Sequence, residues 1–293
     1  MSDSASVTGR DAEVIRVWVE GVGIVGPGFS DWPQASAVLR GDAAYAPAPT
    51  NLPAPEVLPP AERRRASRIV KATLAAGLQA CRMAGCDPAT LPNVFASSGG
   101  DGHNCHALCE LLATDDRQIS PTRFHNSVHN AASGYWSIAT GATPAAQVLG
   151  AYDASFGAGL LEAMAQVESA GQPVLLVAGD SEYPPPLHAK RPILDTAALA
   201  LVLAPARGPN AIAELRLPRR GALGEGRATP VTAADVNGAA YGMPPTRGLP
   251  LLAAMLGAPN APQTVDVDYL PPQVLRVTVV PLVATAVSAH AAA

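Results

Sequence analysis

The sequence predicts a layered α/β protein, and three observations carry that prediction. Residues 124–180 read in order as helix, buried strand, sharp turn, helix and buried strand. Apolar residues make up 48% of the 293-residue chain and aromatics only 4%, with 26 Gly and 29 Pro. Such a composition points to an Ala/Val/Leu core of closely packed helices and strands broken by ordered loops. An early run, Val14–Val25 (VIRVWVEGVGIV), is rich in β-branched residues and ends at Gly26-Pro27-Gly28, the pattern of a strand.

Composition also bounds function. The chain is long enough for a real core, and a formal charge of −4 argues against a nucleic-acid or membrane-surface binder that works through overall positive charge. The four cysteines, Cys81, Cys86, Cys105 and Cys109, do not resemble a disulfide framework, so a reducing cytoplasm is expected. The N-terminal residues lack the basic start and apolar run of a signal peptide, and no apolar stretch reaches the roughly 18 residues of a membrane span.

The elements follow in order. Residues 1–12 are polar and small, as in a disordered terminus. Within the first strand, Gly21-Val22-Gly23-Ile24-Val25-Gly26 matches the dinucleotide fingerprint, but only a Pro-rich stretch follows where a second strand ending in an acid would stand about 20 residues on, so that reading is rejected. Residues 30–41 read as a short capped helix with a glycine stop, and residues 43–60 as a surface excursion without apolar periodicity. From residue 62 to 85 a single helix is expected, with Ile69, Val70, Leu74, Leu78 and Cys81 on one face. Its start carries Arg63, Arg64, Arg65, Arg68 and Lys71. Cations there oppose the helix dipole, so they form either a solubilising face or a docking patch for an acidic partner. Residues 91–98 read as a buried strand followed by a Gly-rich turn and a helix; 197–204 and 211–217 as two strands; 219–248 as a Gly/Pro-rich loop; 249–256 as a helix; and 264–269 with 274–280 as a closing hairpin.

Four constellations stand out. His103, Cys105, His106 and Cys109 could offer four soft ligands to zinc, but all come from seven residues, whereas structural sites gather ligands from two segments; no metal is expected. His125 and His129 stand four apart, and buried or interfacial hydrogen bonding is the favoured reading. Tyr135 and Trp136 are the large anchors of the helix over 130–140, of the type that centres protein interfaces. The turn over 150–155 carries a side chain at a strand-to-helix corner, where many acyl-transfer enzymes keep a nucleophile beneath converging backbone N–H groups. Ser155 is placed to cap the helix that follows, and Asp153 either does the same or repels an anion.

These pieces resemble the first half of a β-ketoacyl synthase. The family's "N-x-x-x-G" and "S-x-x-x-G" loop matches Asn130–Gly134 and Ser137–Gly141, and its "V-x-V-A-G-G" strand matches the run at residues 174–179. Aligning back from Val177-Ala178-Gly179 puts the family's nucleophilic Cys at Ala154, and aligning forward from Asn130 and Pro144 puts it nearer Tyr152. Tyr152, Asp153, Ala154 and Ser155 are therefore the equivalent positions, and none is Cys. The two catalytic histidines of the family sit in "H-G-T" and "G-H-x-x-G" settings, which do not occur here.

The resemblance implies a thiolase-like layered α/β/α fold: a first ketosynthase half at 13–218, a reduced remnant of the second half at 219–287 packed on the same domain, and a frayed tail at 288–293. It implies a non-catalytic chain length factor, of the aryl polyene and polyene pigment type, that pairs with a catalytic β-ketoacyl synthase. The pair would shape an acyl tunnel during elongation on acyl carrier protein, with no cofactor. Phe124, His125, Val128, His129, Tyr135, Trp136 and Phe156 would then be interface or tunnel-gate residues, with Phe124, Tyr135, Trp136 and Phe156 protruding from the subunit, and Arg63, Arg64, Arg65, Arg68 and Lys71 would dock the carrier protein. The alternative is a stand-alone acyltransferase or thioesterase with Ser155 as nucleophile and His125 or His129 as base.

Overall fold

The computed structural model describes residues 13–115, 117–231, 236 and 242–283. The expectations for residues 1–12 and 288–293 lie outside them. Within the described residues the framework is a nine-stranded mixed sheet. Strand β1 (Val14–Val25) lies between β5 (Ala197–Ala204) and β6 (Ala213–Pro218), antiparallel to both. On the far side of β5 comes β4 (Val174–Asp180), antiparallel to it, then β2 (Asn93–Ala96) and β3 (Ala146–Leu149), both parallel to β4. β3 is the edge.

Both faces of this sheet are covered, which is why its central strands read as unbroken apolar runs. On one face Val174, Leu176, Ala178, Leu199, Leu201 and Leu203 meet α1 (Trp32–Arg40), α7 (Ser155–Ala170) and α9 (Leu249–Met255). On the other, Leu175, Val177, Ala198, Ala200 and Val202 meet α3 (Arg68–Ala84) and α6 (Ala131–Thr140). The second face is built from smaller residues, and α3 comes very close to it. A Cβ on Gly21 would stand 2.0 Å from the carbonyl of Ala80, and one on Gly23 1.9 Å from that of Ala76. The glycines that mimic a dinucleotide fingerprint therefore admit a helix backbone, not a pyrophosphate.

Two expectations are corrected. The helix expected over 62–85 is two, α2 (Pro60–Arg65) and α3, because Ala66 turns inward with an extended backbone (ψ 119). The stretch 219–248 holds a strand, β7 (Leu223–Glu225), and a 3-10 turn over Pro245–Gly248. The expected closing hairpin forms, as β8 (Gln263–Asp268) with β9 (Gln273–Pro281), and β9 also pairs with β6 and β7, which puts it inside the main sheet. The remaining helices are α4 (Gly102–Leu112), α5 (Pro121–Asn126) and α8 (Pro185–His188). No helix among the described residues is long and apolar enough to cross a membrane.

Candidate functional site

The parallel strands β2, β3 and β4 end together, and the corner from β3 into α7 lies at that end. Gly150 opens the corner because a Cβ there would stand 2.8 Å from the Ser97 carbonyl and 3.4 Å from the His129 ring. Tyr152 follows with a left-handed backbone, φ 55, unusual for a residue with a side chain. Tyr152 is 59% exposed, whereas Ala154 and Ser155 are buried. Ser155 latches the turn: its hydroxyl donates to the Tyr152 carbonyl (2.7 Å) and accepts from the Ala151 N–H (3.0 Å). It is itself the first residue of α7 and does not cap it. The hydroxyl is spent within its own turn, so the expected cap is corrected.

Charged side chains from distant loops fill the space over this turn. The Arg191 guanidinium lies over the Tyr152 ring, 3.8 Å from its centre. It donates to Asp153 Oδ1 (2.6 Å), to Ser98 Oγ (3.0 Å) and to the Tyr183 hydroxyl (3.1 Å). Arg247 reaches the second oxygen of Asp153 (3.0 Å) and pairs with Asp268 as well. Asp153 thus neither caps α7 nor stands free to repel an anion; it is bound by two guanidiniums. Burial is the largest single influence and works against the charge on Arg191, but the hydrogen bond and charge of Asp153, together with the neighbouring Tyr183 and Tyr152, outweigh it and raise the guanidinium.

Behind Arg191 sits Asp180, the last residue of β4. Its Oδ1 accepts from Ser97 Oγ (3.0 Å), Ser98 N (2.9 Å) and Ser98 Oγ (2.7 Å). Burial still pushes its carboxyl up to about 6, against the lowering effect of those bonds and of Arg191. Ser97 also anchors the next loop, because its carbonyl accepts from His129 Nε2 (3.0 Å), which fixes that nitrogen as the protonated one.

The residues singled out by sequence separate into several places. His129 joins the corner through Ser97, but no hydrogen bond links it or His125 to Ser155. His125 packs edge-on against Tyr135. Phe124, at 62% exposure, and Val128 are on the surface. Tyr135, Trp136 and Phe156 are not, which corrects the expectation that they protrude. Trp136 fills the space over Gly77, where a Cβ would be 2.6 Å from its ring, Phe156 does the same over Gly248, and the Tyr135 hydroxyl donates to the buried Asn126.

The cations of α2 and α3 are largely committed within the chain. Arg63 donates to the carbonyls of Glu56 and Leu58, Arg65 pairs with Glu62, and Arg68 pairs with Glu182 and Asp195. Arg64 is exposed and Lys71 half-buried. His103 and His106 turn to different carboxylates, Glu182 and Glu110, and among the described residues no three metal-ligating side chains gather. Sequence reasoning missed Arg191, Arg247, Asp180 and Tyr183. A carboxylate closing the buried run VLLVAGD was a visible signal for Asp180; the two arginines gave none, since only folding brings their loops to the corner.

The sequence profile of the β-ketoacyl synthase N-terminal domain matches residues 31–235. A search of curated proteins finds no match. Among solved structures, the chain is similar to one in a ketosynthase in complex with its chain length factor from Xenorhabdus doucetiae, at 21% identity and TM-score 0.65, over 90% of this chain and 98% of that one. The ishigamide ketosynthase/chain length factor aligns at 13% identity and TM-score 0.66, over 91% and 99%. A type II polyketide ketosynthase and acyl-carrier protein complex aligns at 15% identity and TM-score 0.51, over 64% and 63%. At these identities the likeness is one of fold.

Proposed function

Because the chain belongs to the β-ketoacyl synthase family through its N-terminal domain, with the family's thiolase-like α/β fold, we propose that it is a non-catalytic chain length factor. In this reading it pairs with a catalytic ketosynthase and shapes the acyl tunnel during elongation on acyl carrier protein. The observation that carries the proposal is the corner. A ketosynthase needs a thiolate to hold the acyl group and imidazoles to stabilise the developing oxyanion. Residues 151–155 offer no thiol, and the Arg191–Asp153–Arg247 network occupies the space above them. The acyltransferase reading has no comparable support, since the Ser155 hydroxyl is bound to backbone on both sides.

Contact with a partner has its own support. β3 is a sheet edge, and the adjoining α6 shares an apolar cluster with it through Ala132, Ala139 and Val148. Exposed edges of this kind invite pairing by another chain. Phe124, Val128 and Ile138 add exposed apolar side chains from α5, α6 and the loop between them; Phe124 is the exposed one of the aromatic gate candidates, which supports assigning the gate role to it in this reading. Arg64, with Arg63 and Arg65 beside it, is the part of the basic patch left to meet an acidic carrier protein.

Co-expression of the tagged chain with the catalytic ketosynthases of its own organism tests this reading. A stoichiometric complex is expected, and Phe124→Asp with Val128→Asp should reduce capture at least about 10-fold while the circular dichroism stays unchanged. In the intact complex, Phe124→Ala should lengthen the acyl product. A chain that binds no ketosynthase, and that instead takes an acyl group from acyl-carrier protein through Ser155, would overturn the proposal.

A further inference from the structure

The connection from α3 to β2 contains a thiol pair that the proposed function leaves unused. Gly85 ends α3 in the left-handed conformation (φ 66); its N–H donates to the Arg82 carbonyl (3.2 Å) and the N–H of Cys86 to the Cys81 carbonyl (3.1 Å). This is the Schellman arrangement, in which the residue after the glycine folds back on the residue five before it, usually through an apolar contact. Here both partners are cysteines. The Cys86 thiol donates to the Cys81 carbonyl oxygen (3.6 Å), which holds its sulfur against the backbone of Cys81. Cys81 is buried and Cys86 is half-buried, so a reagent meets Cys86 first. The turn is braced from outside, since Asn210 Nδ2 donates to the Ala84 carbonyl (3.0 Å).

We propose that Cys81 and Cys86 form a thiol–disulfide exchange site that reacts with small uncharged disulfides and closes to an intramolecular disulfide. The Cys86 thiolate attacks one sulfur of R–S–S–R; a Cys86–S–S–R bond forms and RS⁻ leaves. Cys81 then gives up its proton, its sulfur attacks Cys86 Sγ, and the second RS⁻ departs. Two protons end on the two released thiols, and the reagent takes the two electrons that the protein loses. The order of attack follows from access, since Cys86 is half-buried and Cys81 buried. Interaction with Cys81 also lowers the Cys86 thiol, whereas Cys86 and burial raise that of Cys81, so Cys86 is the attacking sulfur and Cys81 the resolving one. Asp87 and Glu20 act against a negative charge at Cys86, which disfavours anionic disulfides and sets the reagent class. The bond would staple the last turn of α3 to the segment entering β2, whose far end leads into Ser97 and Ser98.

The test uses the full chain with the two exposed thiols removed by Cys105→Ser and Cys109→Ser, treated with bis(2-hydroxyethyl) disulfide, quenched in acid, alkylated and digested with trypsin. Cleavage after Arg82 separates the two cysteines, so the expected product is a pair of peptides joined through Cys81 and Cys86. The intact protein should lose about 2 Da and retain no mercaptoethanol. Cys81→Ala should stop at a mercaptoethanol adduct on Cys86, and Cys86→Ser should leave Cys81 reduced. A stable adduct on Cys86 with Cys81 present, or two thiols that remain open to alkylation, would overturn the assignment. An adduct on Cys81 in the Cys86→Ser chain would overturn the order of attack.

Discussion

Asp180 places a carboxyl at the end of a buried strand, and burial pushes it up to about 6. In the unfolded chain the same group releases its proton near pH 3.9, so between about pH 4 and 6 the folded chain keeps a proton that the unfolded chain has lost. The contribution is full below about pH 4 and is lost as pH rises through about 6, a change of about 3 kcal/mol. Asp180→Asn keeps an acceptor for Ser98 and cannot ionise. Urea unfolding of both chains across this range should show the stability of the variant gaining on wild type by that order as pH rises. A pH-independent difference between them would remove Asp180 from this role. At this scale the sequence was a partial guide: it identified the corner residues Tyr152–Ser155 and assigned Ser155 to a cap and Asp153 to a cap or to repelling an anion, whereas Ser155 bonds the backbone of its own turn and the partners of Asp153 are arginines of remote loops.

Among the elements, the contact of α3 with β1 is the tightest. Gly23 lies under the Ala76 carbonyl so closely that a Cβ would stand 1.9 Å away, with backbone on the other side of the clash. Backbone cannot swing aside as a side chain can, so Gly23→Ala should destabilise by at least about 3 kcal/mol, the upper range of overpacking. Gly171→Ala is the control for a change of glycine in open space, with a cost limited to the left-handed backbone (φ 63). Chemical denaturation of the two variants measures the difference. β1, α1, α3, α7, β4 and β5 were all legible from periodicity and glycine stops. The break between α2 and α3 was not, because the pull that bends Ala66 inward is packing against other elements.

At the scale of the whole molecule, the order β3-β2-β4-β5-β1-β6-β9 brings the C-terminal strand pair into the same sheet as the first strand. The region after residue 218 therefore shares its hydrogen bonds with β6, and α9 shares a core with α1 and α7. Thermal unfolding followed by tryptophan fluorescence and far-UV dichroism should give coincident transitions. Trp18 and Trp136 report on the sheet centre and the α3–α6 layer, so a fluorescence transition well below the dichroism one would show a separable unit.

The chain by itself determined the layered α/β class, the strand-turn-helix corner and the lack of a thiol there, since each depends on residue type and spacing within a short stretch. Only the tertiary structure decided what stands over that corner and which large side chains face outward. Arg191 and Arg247 reach Asp153 across the fold, and Trp136 and Phe156 disappear beneath helices because glycines elsewhere make room for them. Charge pairing and close packing act between residues far apart in sequence, and local pattern carries no record of either.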